Sequence, residues 1–130
     1  MTEPVWISSR LALAIHERQI AEHGGDSGLR DSNMLESALA RPRHQFAYGG
    51  PEMDIPAMAA AYAFGLAKNH PFVDGNKRTA YVVCRLFLRL NGWDFINPLA
   101  DRYTIFLELA SGAVSEAALV DWLRTCSRAT

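Results

Sequence analysis

Apolar residues recur at helical spacing along most of the chain, and each periodic stretch begins near a residue that can cap a helix. The first stretch begins at Ser8 or Ser9, whose hydroxyl can accept hydrogen bonds from free backbone amides. It stops at Gly24 and Gly25, which favour a helix end. This pattern predicts a first helix.

A second, shorter helix is predicted to begin at Asp31 or Ser32. We expect it to end before Pro42, because a residue that precedes proline disfavours helical geometry. The next segment, residues 41–53, contains two glycines and two prolines and has no sustained period. It predicts a connection that could carry a short hairpin or a lid.

The most apolar helices are predicted in the middle of the chain. Residues 54–70 begin with Asp54 as a cap and Pro56 in the first turn, and are apolar on almost every side, which is typical of a helix buried in a bundle. Residues 76–92 form the second central helix, which is apolar over most of its surface. Its remaining face carries Arg78, Arg85 and Arg89.

Two further helices are predicted beyond residue 92. One is capped by Asp101, and the other by Ser115 with Glu116 in its first turn. The sequence has no repeat, low-complexity tract or linker. The 130 residues therefore predict an all-α fold, a compact single-domain bundle of about six helices over residues 1–130.

Composition limits the possible partners. Thirteen basic and fourteen acidic residues give a formal charge of -1, which lacks the positive field that binding to a nucleic-acid backbone requires. No leader-like segment and no sufficiently long apolar stretch appear. The two cysteines, Cys84 and Cys126, are far apart and are interpreted as reduced thiols. We expect a cytoplasmic protein that contacts neither nucleic acid nor membrane.

The segment NHPFVDGNKRTAYVV, residues 69–83, gathers polar groups at the start of the second central helix. Gly75 permits backbone geometry in which its own amide and those of Asn76 and Lys77 converge. A helix N-terminus with converging amides is an anion site, and Lys77 and Arg78 add positive charge. The segment therefore predicts phosphate binding.

Two more side chains in this segment suit phosphate chemistry, although each also has a structural interpretation. Asp74 can ligate a magnesium ion that bridges phosphates, or it can cap the helix. His70 can accept a proton near neutral pH, or it can be a satisfied histidine at a helix end. Capping explains Asp74 alone. The occurrence of His70, Asp74, Asn76, Lys77 and Arg78 together within nine positions favours a functional site.

The stretch HPFVDGNKR, residues 70–78, resembles the signature of the Fic/Doc superfamily, His-Pro-Phe-x-Asp/Glu-Gly-Asn-Gly/Lys-Arg. The form with Lys77 looks like the death-on-curing (Doc) toxin branch. The upstream stretch GLRDSNMLESALARPR, residues 28–43, also looks like that branch. A motif with this many charged positions is a specific signal.

The resemblance implies a role for each position of the motif. His70 would be the general base that takes the proton from a Ser or Thr hydroxyl of a target protein, and Asp74 would hold Mg²⁺. Phe72 would fasten the loop to the core. Residues 41–53 correspond by location to the family's flap, which is thought to align the target segment as an added strand. The residues that would hold the phosphates of ATP are Gly75, Asn76, Lys77 and Arg78, of which Arg78 is also catalytic.

Lys77 determines which reaction is expected. Adenylylating members have Gly at this position, where phosphates lie against the turn, and a lysine fills that space. Doc-like members are thought to bind ATP in the inverted sense and to present the γ-phosphate, which implies a protein Ser/Thr kinase. Pro71 and Gly75 are typical of the Fic branch. A protein adenylyltransferase is therefore one alternative. A catalytically inactive, partner-binding helical module is a second alternative, in which the helix terminus holds an anion and the helical surface binds a partner.

The resemblance also implies a toxin–antitoxin system. Many Fic enzymes restrain themselves through a helix bearing Ser/Thr-x-x-x-Glu-Gly/Asn, and we do not count the nearest match, SNMLES at residues 32–37, as inhibitory. An antitoxin would then neutralise the protein in trans. The expected target is the translation elongation factor that delivers aminoacyl-tRNA, so the activity would inhibit translation.

Overall fold

The computed structural model describes residues 2–130, which form six α-helices and one small antiparallel sheet. This confirms the all-α prediction. Three-residue strands are too short to show a period, so the sequence pattern gives no sign of the sheet. The elements are α1 (Ser9–His23), α2 (Ser32–Tyr48), a 3₁₀ turn (Gly50–Glu52), α3 (Ile55–Asn69), α4 (Asn76–Leu90), β1 (Trp93–Phe95), α5 (Leu99–Ser111), α6 (Glu116–Cys126) and β2 (Ser127–Ala129).

Side-chain caps define the starts of four helices, as predicted. The prediction for α5 is wrong, because this helix begins at Leu99 after Pro98, and Asp101 lies in its first turn. The fixed φ of proline suits the residue before a helix, and an acid in the first turn is favoured by the helix dipole. The confirmed caps, which accept hydrogen bonds from backbone amides, are Ser8, Asp31, Asp54 and Ser115.

Helix α2 continues through Pro42 to Tyr48, so the predicted helix end is wrong. Residues 41–53, for which a short hairpin or a lid was considered, instead contain the end of α2 and the 3₁₀ turn. A proline inside a helix removes one backbone hydrogen bond, here the bond to the carbonyl of Ala38. Contacts with the rest of the protein must offset that loss.

These contacts come from both ends of the chain. Phe46 packs edge-to-face on Trp6, with ring centroids 5.7 Å apart. From α6, Glu116 pairs with Arg41 and accepts a hydrogen bond of 3.2 Å from Gln45. The C-terminal half of α2 is thus fixed by side chains that are distant in sequence.

Helix α3 is the centre of the bundle and packs against α2, α4 and α6. Eleven of its fifteen residues are buried, as its apolar sequence predicts. Gly65 allows α2 to approach closely, because a Cβ atom there would lie 3.2 Å from the Cβ of Ala38. Although α3 is strongly apolar, no helix in residues 2–130 combines the length and hydropathy required to cross a membrane.

The small sheet closes the far end of α4. Arg85 and Arg89 approach Asp94 of β1, with nitrogen–oxygen distances of 3.2 and 3.9 Å. Partial burial would raise the pKa of Asp94, but hydrogen bonds from Arg85 and from the amide of Phe95 outweigh it and hold the pKa below its usual value. These two arginines therefore form ion pairs with Asp94 of the sheet and not with residues of the motif.

Both cysteines are free thiols, as predicted. Cys84 is fully buried within α4, and its burial raises the pKa of the thiol far above the usual range. Cys126 ends α6, where partial burial also raises its pKa. A raised pKa lowers the fraction of reactive thiolate in both side chains.

Candidate functional site

The predicted motif forms the turn that joins α3 to α4. His70 ends α3 in the left-handed conformation, with φ 48° and ψ 57°. It is the only residue other than glycine with a positive φ in residues 2–130. Its exposed side chain stands at a cavity of about 400 Å³ that is also lined by residues 73–78 and by Ala110 of α5.

Asn76, the first residue of α4, stabilises this turn through hydrogen bonds to Phe72. Its Oδ1 accepts a hydrogen bond of 3.0 Å from the amide of Phe72, and its Nδ2 donates to the carbonyl of Phe72 at 2.9 Å. Phe72 is buried in the core, as predicted. The Nδ2 atom also lies 3.4 Å from Nδ1 of His70. Asn76 therefore contacts both the backbone of Phe72 and the ring of His70.

The N-terminus of α4 is open towards the cavity. Its N-cap is Gly75, with φ 75°, and no side chain caps it. The first amides of the helix therefore lack a side-chain acceptor at a point where these residues line the cavity. Within residues 2–130, no carboxylate lies within ion-pair distance of Lys77 or Arg78. Converging amides beside two cations are suited to bind an anion such as phosphate.

Asp74 does not cap α4, although capping was one interpretation of this residue. Its Oδ1 accepts a hydrogen bond from the amide of Gly75 at 2.8 Å, and its Oδ2 accepts one from the amide of Asp26 at 3.3 Å. A Cβ atom at Gly25 would lie only 2.7 Å from Oδ2, so this glycine allows the close approach. The carboxylate is held in place at the edge of the cavity.

The donor set around Asp74 fits magnesium that is brought in with a nucleotide. Residues 2–130 hold no cluster of three or more His, Cys, Asp or Glu side chains that could bind a metal by themselves. Mg²⁺ is commonly held by one or two carboxylates while phosphates and waters complete its octahedron. One carboxylate beside a phosphate site is consistent with that arrangement.

His16 supports the motif from α1, and the sequence analysis does not single it out. Its buried ring stacks on Phe72, with centroids 3.8 Å apart and planes 4° from parallel, and its Nε2 donates to the carbonyl of Asp74 at 2.7 Å. In the sequence, the only indication of a role for His16 is its place on the apolar face of the first predicted helix. Its partner is 58 residues away in sequence, so only the fold identifies the contact.

The connection between α1 and α2 runs alongside the motif. The amide of Val73 donates to the carbonyl of Gly28 at 3.1 Å, and Leu29 forms an isolated β-bridge with Phe72. The loop that carries the site residues is therefore paired with a second loop along its length.

Residues 6–88, more than half of the chain, match a protein-family model described as "Fic/DOC family". The chain belongs to the Fic/DOC family. It is 35% identical over 120 residues to "Protein kinase doc" of Escherichia phage P1, covering 91% of this chain and 92% of that protein. It is 41% identical over 69 residues to "Toxin Doc" of Mycolicibacterium smegmatis (strain ATCC 700084 / mc(2)155), covering 53% of each chain. These relatives confirm the Doc branch.

The Fic/DOC match extends over α1, α2, α3 and nearly all of α4. It therefore includes His16, the connection between α1 and α2, and the complete motif. Of the three arginines on α4, Arg78 alone lines the cavity, whereas Arg85 and Arg89 pair with Asp94. The family match therefore includes every residue that lines the cavity except Ala110.

Proposed function

We propose that this Fic/DOC protein is a Doc-type toxin that transfers the γ-phosphate of ATP to a Ser or Thr hydroxyl of a target protein. The observation that carries the proposal is one cavity in which exposed His70 meets the uncapped start of α4 and the cations Lys77 and Arg78. The likeness to "Protein kinase doc", over 91% of this chain, supports phosphoryl transfer.

In the proposed reaction His70 acts as the general base. The oxygen of the target hydroxyl forms a bond to the γ-phosphorus, and the ring nitrogen that carries the lone pair accepts the hydroxyl proton. The bond from the γ-phosphorus to the β–γ bridging oxygen breaks, and ADP leaves with the electron pair. Phosphoryl transfer depends mainly on positioning and on stabilising this charge, which the amides of α4, Lys77 and Arg78 supply.

Asp74 is the residue that would hold Mg²⁺ in this site. A bound magnesium ion supplies neutralisation of the phosphate charge. The chain's own contribution is to orient the carboxylate through the amides of Gly75 and Asp26. Lys77 fills space in the first turn of α4 and holds phosphate in this proposal together with the backbone amide of Asn76. The bulk of Lys77 there favours presentation of the γ-phosphate over the α-phosphate. The amide of Gly75, a phosphate ligand in the sequence-based expectation, is instead bonded to Asp74.

We further propose that an antitoxin neutralises the protein in trans and that the target is the translation elongation factor that delivers aminoacyl-tRNA. The similarity to "Toxin Doc" supports a toxin. An acidic group of a partner could pair with Arg78, which finds no carboxylate partner within residues 2–130.

Induced expression of variants in bacteria tests this function. We expect His70→Ala and Arg78→Ala each to abolish growth arrest, because one removes the base and the other a phosphate ligand. His23→Ala and Arg10→Ala, which change exposed residues of α1, should arrest growth like the wild type. Since His70 and Arg78 are exposed, the melting temperatures of both variants should stay close to the wild-type value. Growth arrest by a folded His70→Ala protein would contradict the proposal and favour a partner-binding module.

A further inference from the structure

Arg30, in the connection between α1 and α2, donates side-chain hydrogen bonds to backbone carbonyls at the end of α3. Its Nε donates to the carbonyl of His70 at 2.6 Å, and its Nη2 donates to the carbonyl of Asn69 at 2.8 Å. The backbone amides of Arg30 and Asp31 both donate to the carbonyl of Pro71, at 2.7 and 3.0 Å. Three consecutive carbonyls, one of them from His70, therefore accept hydrogen bonds from this short segment.

The backbone at His70 needs such support. A left-handed conformation is strained for a residue with a side chain and persists where the surroundings over-determine it. The last carbonyls of a helix lack partners within the helix and carry the negative end of its dipole. A guanidinium group is planar and can donate to two acceptors at once, whereas a lysine offers a single point charge. Arg30 meets these requirements at Asn69 and His70.

We propose that Arg30 is a positioning residue for His70. By holding the carbonyls of Asn69 and His70, it keeps His70 left-handed and its imidazole beside Asn76. Arg30 forms no ion pair within residues 2–130, so its donors serve these carbonyls. The consequence for catalysis rests on the proposed function, whereas the consequence for the geometry of His70 does not.

The geometric part is tested by NMR on the full-length protein, with Arg30→Ala, Arg30→Lys and the control Arg128→Ala. Arg128 is an exposed residue of β2, which pairs with β1 beyond the opposite end of α4. We expect Arg30→Ala to shift the Cα and Cβ resonances of His70 away from left-handed values and to move the side-chain amide signal of Asn76. Arg30→Lys should give a smaller change and Arg128→Ala none. Unchanged His70 and Asn76 signals in folded Arg30→Ala would overturn the inference.

The catalytic part is tested by transfer of label from γ-labelled ATP to the proteins of a bacterial lysate. Arg30→Ala should lower the rate at saturating ATP about tenfold or more, because small displacements of a reacting group have large kinetic effects. The apparent KM for ATP should stay within about twofold, since the phosphate-binding groups are unchanged. Arg30→Lys should recover part of the rate, and Arg128→Ala should match the wild type.

The NMR experiment and the label-transfer experiment test the positioning of His70 and the proposed function separately. Absence of transfer by the wild type would contradict the proposed function, while the NMR comparison would still decide whether Arg30 positions His70. Transfer by Arg30→Ala at the wild-type rate would overturn a positioning role in catalysis. A rise in the KM for ATP at an unchanged maximal rate would overturn it as well, because it would assign Arg30 to nucleotide binding.

Discussion

The side chain of Asn76 both stabilises the turn of the motif and contacts His70. It satisfies both backbone groups of Phe72, which is buried in the core, and it reaches Nδ1 of His70, which faces the cavity. With 8% of its surface exposed, Asn76 has little access to water that could replace these bonds. The backbone of the turn and the ring of His70 therefore contact the same side-chain amide.

Replacement of this side chain should destabilise the fold as well as the site. In Asn76→Ala the buried amide and carbonyl of Phe72 lose their partner, so we expect the free energy of unfolding to fall by about 1–3 kcal/mol. Urea denaturation measures this difference, with Asn33→Ala on the exposed face of α2 as the control. Equal stability of the two variants would show that the Asn76 bonds do not hold the turn.

The sequence predicts the site residues within the motif because they lie within nine positions and require no knowledge of the fold. His16 and Arg30 could not be found in this way. His16 looks like one more position of an amphipathic helix, and its contact with Asp74 spans 58 residues. The role of Arg30 depends on the left-handed backbone of His70, which is 40 residues away.

Helix α2 shows that the local rule that ends a helix before a proline can fail. The residues around Pro42 are unfavourable for a helix when considered alone, and the sequence analysis therefore ends the helix there. The structure continues it because Phe46 reaches Trp6 and because Glu116 binds Arg41 and Gln45. Helix propensity is a weak prior that such tertiary contacts override. The caps are predicted correctly at Ser8 and Asp31 because capping is a local interaction.

A pair of aromatic substitutions tests the extension of α2. Phe46→Ala should lower the free energy of unfolding by about 1–2 kcal/mol, because a partly buried ring loses its aromatic partner. Tyr48→Ala, at a residue that is 87% exposed, should change stability by less than about 0.5 kcal/mol. Thermal or urea unfolding gives both values. If both substitutions were neutral, residues 41–53 would be a loosely attached segment rather than part of a packed helix.

At the scale of the whole molecule, the candidate site lies where two loops pair at one end of the helical bundle. The core is centred on α3, whose end carries His70, and α4 begins within the motif and ends near the small sheet. Composition and period predict the helices, but they do not predict which loops meet. That arrangement follows from packing of α1 and α3 against α4. It gives the proposed chemistry a base, a carboxylate and an open helix N-terminus in one cavity.

The most direct test of this account is incubation of the purified protein with a bacterial lysate and ATP labelled at either the α- or the γ-phosphate, with the His70→Ala protein as the control. We predict that label enters a protein from the γ position only and that this transfer disappears in the control. Label from the α position would contradict the proposed kinase, because it would show that AMP is transferred and that Lys77 does not invert the nucleotide.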